Sequence, residues 1–226
     1  MFRYEEPTEE GRWPYYFKRA EEILKGTETR KGQKPIHKLS RSQLIFQHKN
    51  AQTRVRGGRP EGVKLRISFN ITYNEHPPCT IPFATLEKRF IGDLRLEIAH
   101  RGSYLMLRAV VNPIKYVSIT TVAEDENGEV ELVQVYNQDD RRSPASIMPE
   151  GQVFIVKEPY FKETAGGGTG IRVDHISDII LLDGEDERIP EKWRPRIRQL
   201  ETRLLDWKDD GNRFYKEKQY FEAAQW

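Results

Sequence analysis

The chain carries a single cysteine, Cys79, in 226 residues. One thiol forms neither an intrachain disulfide nor a thiolate zinc cluster, so a reducing compartment, nucleus or cytoplasm, is the expected setting. Long apolar runs are also missing. Nothing approaches the length that crosses a bilayer, and the start, MFRYEEPTEE, has neither the basic head nor the apolar stretch of a secretory signal. No membrane partner is expected. Acidic residues are absent from Arg30 to Pro60, where Lys and Arg are frequent, while Glu124 to Glu131 and Asp183 to Glu191 are acidic. The net charge of +2 therefore conceals a basic arm. Such an arm either steers the chain toward nucleic acid or an acidic partner, or is a solvated linker.

A complete catalytic constellation is lacking too. The histidines are His37, His48, His76, His100 and His175, and no two have the four-residue spacing of a helical metal pair. Asp174 and His175 are adjacent on a strand pattern, which sends them to opposite faces and prevents an acid–base dyad. Ser103, Ser118 and Ser177 have no elbow glycines, and Cys79 lies among prolines without a basic neighbour. Glu158 reads as a charged outer position beside Pro159 near a strand end. The residues thus predict no catalytic group, no metal, no cofactor and no enzymatic activity in this chain.

What the sequence does contain is periodicity. After Pro14, which suits a first helical turn, Tyr16, Phe17, Ala20, Ile23 and Leu24 recur at helical spacing, and Gly26 offers a stop. Residues 27–62 read as a poorly ordered basic linker. Val63 to Tyr73 alternates apolar and polar residues without a break, the pattern of an antiparallel strand with one wet face. Further strand patterns occupy Leu94 to Ile98, Tyr104 to Val111, Tyr116 to Val122, Val130 to Tyr136, Val153 to Val156 and Ile171 to Leu182. Asn127-Gly128 has the chemistry of a tight hairpin, Pro144 to Met148 has helical potential, and Gly166, Gly167 and Gly168 mark a flexible turn.

This order predicts an α+β chain, mainly antiparallel β, with an OB-like small barrel flanked by an N-terminal helix and C-terminal helices. The expected division is a helix at 1–26, the linker at 27–62, the barrel at 63–183, and a bridging helix with a further helical unit at 191–226. The bridging helix is read from Ile197, Leu200, Leu204 and Trp207 following Pro195.

In Trp207 to Trp226, the tryptophan, Gly211-Asn212, Phe214, Tyr220 and Ala223 fall at tetratricopeptide offsets. The stretches IGDLRLEIAHRG, MPEGQVFIVKEPYFK, IRVDHISDIILL and DERIPEKWRPR resemble the region preceding the repeats in fungal proteins that combine tetratricopeptide repeats with a SET domain. Taken together, the chain resembles the N-terminal region of such a protein, truncated inside its first repeat. That resemblance implies full-length relatives that are protein-lysine methyltransferases using S-adenosylmethionine. A cofactor-holding Asn-His segment and an amine-orienting Tyr are not recognisable in this sequence. Lys208 and Asn212 match the first-helix positions that hold a terminal carboxylate in some tetratricopeptide domains.

The preferred expectation is an interaction module presenting surfaces to protein or peptide partners. One alternative is OB-type single-stranded nucleic-acid binding. Arg54, Arg56, Arg59 and Lys115 would then meet phosphates, while Tyr116, Tyr136, Tyr160 or Phe161 stack on bases. The other is a regulatory portion of a SET-type methyltransferase.

Overall fold

The computed structural model describes residues 12–56, 76–115, 117–138, 143–164 and 168–194, with the single positions 208, 212 and 216. The expected strand at Val63 to Tyr73, the bridging helix after Pro195 and most of the tetratricopeptide segment lie outside the described residues. Two helices come first, α1 (Arg12–Arg30) and α2 (Arg41–Arg56). Strands β1 (Glu87–Arg89), β2 (Ile98–Ala99), β3 (Ser103–Ala109), β4 (Ile114–Lys115), β5 (Ile119–Glu124) and β6 (Val130–Val135) follow. After the single-turn helix α3 (Pro144–Ile147) come β7 (Val153–Lys157), β8 (Tyr160–Glu163), β9 (Thr169–Val173) and β10 (Ile179–Leu181).

The main strands pair in the order β10-β7-β3-β5-β6-β9-β8-β2, with β1 beside β3 and β4 beside β5. Only Glu158 and Pro159 separate β7 from β8, so these two behave as one bent strand. Its first half pairs with β3 and its second half with β9, both antiparallel. The sheet therefore closes on itself, with β6 and β9 running parallel at one seam. Five strands in this circular order, with a helix between the third and fourth, form an OB-like barrel. Its inside is filled by alternate residues of every strand, including Leu105, Leu107, Ile119, Val133, Phe154, Val156, Phe161 and Ile171, each at most 1% exposed. Burial of each such side chain contributes roughly 1.5–3 kcal/mol.

The bend has a specific cause. Glu158 adopts φ 45°, in the left-handed region, and Pro159 removes an amide proton where no strand partner accepts it. The Glu158 carboxylate takes the Gly102 N–H at 2.9 Å and pairs with Arg101. It is thus an enclosed structural acceptor, with a side chain only 5% exposed, rather than the outward charge expected from sequence. Burial alone would raise its pKa, yet these donors hold it below the ordinary range.

The β5–β6 turn forms where Asn127-Gly128 predicts it, by a different device. Only Gly128 has positive φ, at 82°, and Asp125 closes a longer turn by accepting N–H groups of Asn127 and Glu129 on Oδ1. Its other oxygen accepts the Ile91 N–H, so one buried carboxylate also ties the turn to the chain before β2. The glycine-rich segment lies between β8 and β9, which pair antiparallel as expected of a hairpin, and residues 165–167 at its tip lie outside the described residues.

Four expectations need correction. α1 runs through Gly26 to Arg30, since an interior glycine costs a helix only about 1 kcal/mol. Arg30 then pairs with Glu163 at 2.9 Å, and Gly32 and Gln33 exchange backbone hydrogen bonds with Leu96. The supposed linker contains α2, opened by a reciprocal cap: the Gln43 N–H meets Ser40 Oγ, and the Ser40 N–H meets Gln43 Oε1. The pattern from Leu94 to Ile98 yields only the short β2, because Glu97 turns left-handed at φ 57°. The run from Ile171 to Leu182 is cut by a 3₁₀ turn at Ile176–Asp178, which lets β9 pair with β6 and β10 cross to β7.

Candidate functional site

Most of the outer surface of the barrel is covered by its own chain. On β5 and β6 the outward residues Val122, Val130 and Leu132 pack with Leu44 and Ile45 of α2, together with Leu39, Val110 and Val111. Polar contacts fix this helix: His48 Nε2–H donates to the Asn112 carbonyl at 2.9 Å, and Arg41 joins Arg108 on the buried Glu124 carboxylate. On β3, β7 and β10, the outward Tyr104, Met106, Val153, Ile155 and Ile180 meet Phe83, Leu182, Ile189 and Trp193. The segment 182–194 is therefore a strap across that side.

The outer side of β6, β9 and β8 is different. Val133, Val135, Ile171, Val173 and Phe161 point inward. Alternation then turns Gln134, Tyr136, Arg172, Asp174, Tyr160 and Lys162 outward. All six are half-buried. Arg172 lies between Gln134 and Tyr160 in the ladder. Its guanidinium stands 4.4 Å from the Tyr136 ring centre, and its Nε donates to Asp174 at 2.7 Å. The Tyr160 hydroxyl donates to Glu97 at 2.8 Å, and its ring meets His76 at 4.1 Å between centroids. Burial and the Glu97 carboxylate push the Tyr160 phenol far above its ordinary range, so it remains a donor.

This surface continues into a cleft lined by His76, Arg101, Lys157, Glu158, Asp174 and Asp178. Its charges are mutually engaged: Arg101 with Glu158, Arg172 with Asp174, and Lys157 with Asp178 at 3.9 Å. Asp178 also accepts the Cys79 N–H at 2.9 Å. His76 Nε2 is buried without a hydrogen-bond partner among the described residues, and burial together with Arg101 depresses the pKa of this imidazole. His175 Nε2–H donates to the His76 carbonyl at 2.8 Å, and the Asp174 carboxylate accepts from Arg172. The cleft encloses about 20 Å³, and on the same measure a single water needs roughly 10–15 Å³. An adenosyl methyl donor does not fit there.

The sequence-based nucleic-acid set is dispersed. Arg54 and Arg56 fall in the last turn of α2, where their side chains lie outside the described residues, as do Arg59 and Tyr116. Lys115 belongs to β4, next to α2, whereas Tyr136 sits at the end of β6 against Arg172. Phe161 is a core residue at 1% exposure and cannot stack on a base. Lys208 and Asn212 are helical and exposed. Sequence reasoning missed Lys162 and Arg172. The period-two pattern around Phe161 and through Ile171–Val173 was the available signal for their shared side.

No family model matches the chain. A methyltransferase of Gibberella zeae is 36% identical over 167 residues, which is 73% of this chain and 23% of that protein. The chain thus spans about a quarter of the length of this relative. The expectation of no enzymatic activity in this chain is overturned by this match, which relates most of its length to a methyltransferase polypeptide. Among solved structures, an OB domain from Methanosarcina mazei is similar over 49% of this chain and 92% of its own, at 13% identity and a TM-score of 0.35. Schizosaccharomyces pombe Pot1pC, solved with single-stranded DNA, is similar over 45% of this chain and 90% of its own, at 11% identity and a TM-score of 0.35. Likenesses this loose transfer no ligand, and the description of the barrel stands on its own strand pairing.

Proposed function

We propose that this chain is the partner-recognising portion of a methyltransferase-family polypeptide, and that its barrel docks protein segments. The relation to the Gibberella zeae methyltransferase supports the first half of this reading. The packing of α2 on β5 and β6 carries the second. OB barrels that hold oligonucleotides present the face of their second and third strands to the ligand. Here β5 and β6 occupy those positions, and Leu44 and Ile45 cover the part of their outer face formed by Val122, Val130 and Leu132. That part offers neither stacking rings nor phosphate partners, and Tyr136 at the end of β6 is already occupied by Arg172.

The arrangement of later tetratricopeptide repeats and a SET domain belongs to the same proposal. So does capture of a terminal carboxylate by Lys208 and Asn212, which their helical, exposed setting four residues apart supports. The test is titration of the chain with a fluorescent single-stranded 20-mer at low and physiological salt. The expected result is weak binding, unaltered by combined Arg54→Ala, Arg56→Ala and Arg59→Ala substitution. Tight binding that falls steeply with salt and is lost in that variant would replace the protein-docking reading with nucleic-acid recognition.

A further inference from the structure

β10 ends the strand order and has a neighbour, β7, on one edge alone. Which of its backbone groups stay open follows from the ladder. Leu182 N–H donates to the Val153 carbonyl, so residues 180 and 182 turn their N–H and C=O groups toward β7. Leu181 N–H, Leu181 C=O and Ile179 C=O therefore face away from it and have no hydrogen-bond partner among the described residues, whereas Ile179 N–H is closed by the Ile176 carbonyl. An open row of this kind is a template for a further strand, and folded proteins blunt it with proline, charge or a bulge. β10 reads Ile-Ile-Leu and has none of these. Leu181 is 47% exposed, and Ile176 at the head of the strand is exposed as well. The strap 182–194 packs on Ile180, on the outer face of β10, and makes no backbone hydrogen bond to this edge.

The chemistry of the occupant follows from what adjoins the edge. Asp183, Glu185 and Glu187 come directly after β10, all exposed, and none of them joins an ion pair among the described residues, while Asp186 between them is held by Arg188. A second copy of the chain brings the same carboxylates and is repelled; a cationic strand is drawn in. Alternation gives Asp183 the same side of the strand as Leu181. In a strand added antiparallel to β10 with a leucine opposite Leu181, the residue two positions earlier lies opposite Asp183. We infer that the β10 edge takes up an extended segment of a partner protein by strand addition, with a Lys-Xaa-Leu pattern set against Asp183 and Leu181. This deepens the protein-docking reading and rests on it.

The test titrates the full chain and reads the Leu181 amide by NMR. The probes are the acetylated, amidated peptide Thr-Lys-Thr-Leu-Thr-Lys, its counterpart with both lysines replaced by glutamate, and the lysine peptide N-methylated at its leucine, the residue whose N–H meets the Leu181 carbonyl. The expected result is an amide open to exchange in the free chain and saturable, submillimolar binding of the lysine peptide. Binding should be about tenfold weaker for the N-methylated peptide, for the glutamate peptide, and for Leu181→Pro, which removes the outward N–H and leaves the β7 ladder its bonds. Asp183→Lys should narrow the gap between the two charged peptides. Equal binding of the N-methylated peptide overturns strand addition, and equal binding of the glutamate peptide overturns the cationic partner. A Leu181 amide protected at every concentration assigns the edge to another segment of this chain, and protection that grows with concentration assigns it to a second copy; either overturns the proposal. If no peptide shifts Leu181, the edge falls while the docking reading stands, since that reading is decided by the oligonucleotide titration.

Discussion

His48 of α2 donates through Nε2–H to the carbonyl oxygen of Asn112, 64 residues further along the chain, at 2.9 Å. This bond fixes the tautomer of a buried imidazole and pins the helix to the loop following β3. Burial lowers the pKa of His48, and it does the same for His76 and His100. A depressed histidine contributes stability that is present above its unfolded pKa, near 6.5, and is lost as pH falls toward the folded value. Denaturant midpoints should therefore decline as pH drops below about 6.5, and His48→Gln should flatten part of that decline. An unchanged slope in His48→Gln would remove His48 from the explanation.

Glu131 behaves in the opposite sense. Its side chain points into the barrel at 1% exposure, accepting from Thr169 Oγ1 at 2.8 Å and from the Leu132 N–H at 2.9 Å. Burial raises its pKa more than these donors lower it. For a raised carboxyl, stability is full below the unfolded pKa, near 4.3, and is lost as pH rises through the folded value. Glu131→Gln should stabilise the barrel by about 1 kcal/mol at pH 7.5 and leave it unaffected near pH 4. Urea titrations at the two pH values make the comparison.

Glu124 supports α2 electrostatically. Its side chain is 7% exposed and receives Arg108, with Nε at 2.9 Å, and Arg41. Burial opposes ionisation, but the two guanidinium groups prevail and lower its pKa. Glu124→Ala leaves those cations without their shared acceptor and should cost about 2–3 kcal/mol at pH 7. Because the pKa is lowered, this contribution is present above the unfolded value, near 4.3, and is lost as pH falls through the lower folded value, so the gap between wild type and variant should narrow progressively in acid.

Leu44→Ala should cost about 2–3 kcal/mol, since the residue is 8% exposed and packs against the β5–β6 face. Hydrogen exchange should accelerate in α2 while the strands β3 and β7 keep their protection. Uniform loss of protection across the barrel would show that α2 and the barrel open together.

Strand existence was readable because alternate residues of β3, β5, β6 and β7 fill the barrel, and the β5–β6 turn because only glycine comfortably takes the φ of Gly128. α2 was not read, although Ser40 and Gln43 spell its cap. Leu44, Ile45 and Phe46 are consecutive rather than periodic, and the helix buries His48 in their company while leaving Phe46 67% exposed. The barrel was read from the order of its elements, but the device that closes it was not, since it depends on Glu158 turning left-handed, a conformation nothing in KEPYFK requires. The outer side of β6, β9 and β8 was concealed by its chemistry: Lys162 and Arg172 are ordinary strand cations until the strand order sets them beside Tyr136 and Tyr160.

Arg41 waits for Glu124 across 83 residues of chain, and Lys38 for Glu129 across 91. During synthesis α2 therefore emerges long before its landing surface exists. A helix of 16 residues with scattered apolar positions has little means of persisting unaided. Newborn chains pass through an interval in which Leu44, Ile45 and Phe46 are bare, and the finished barrel acts as the template that gives this segment its shape.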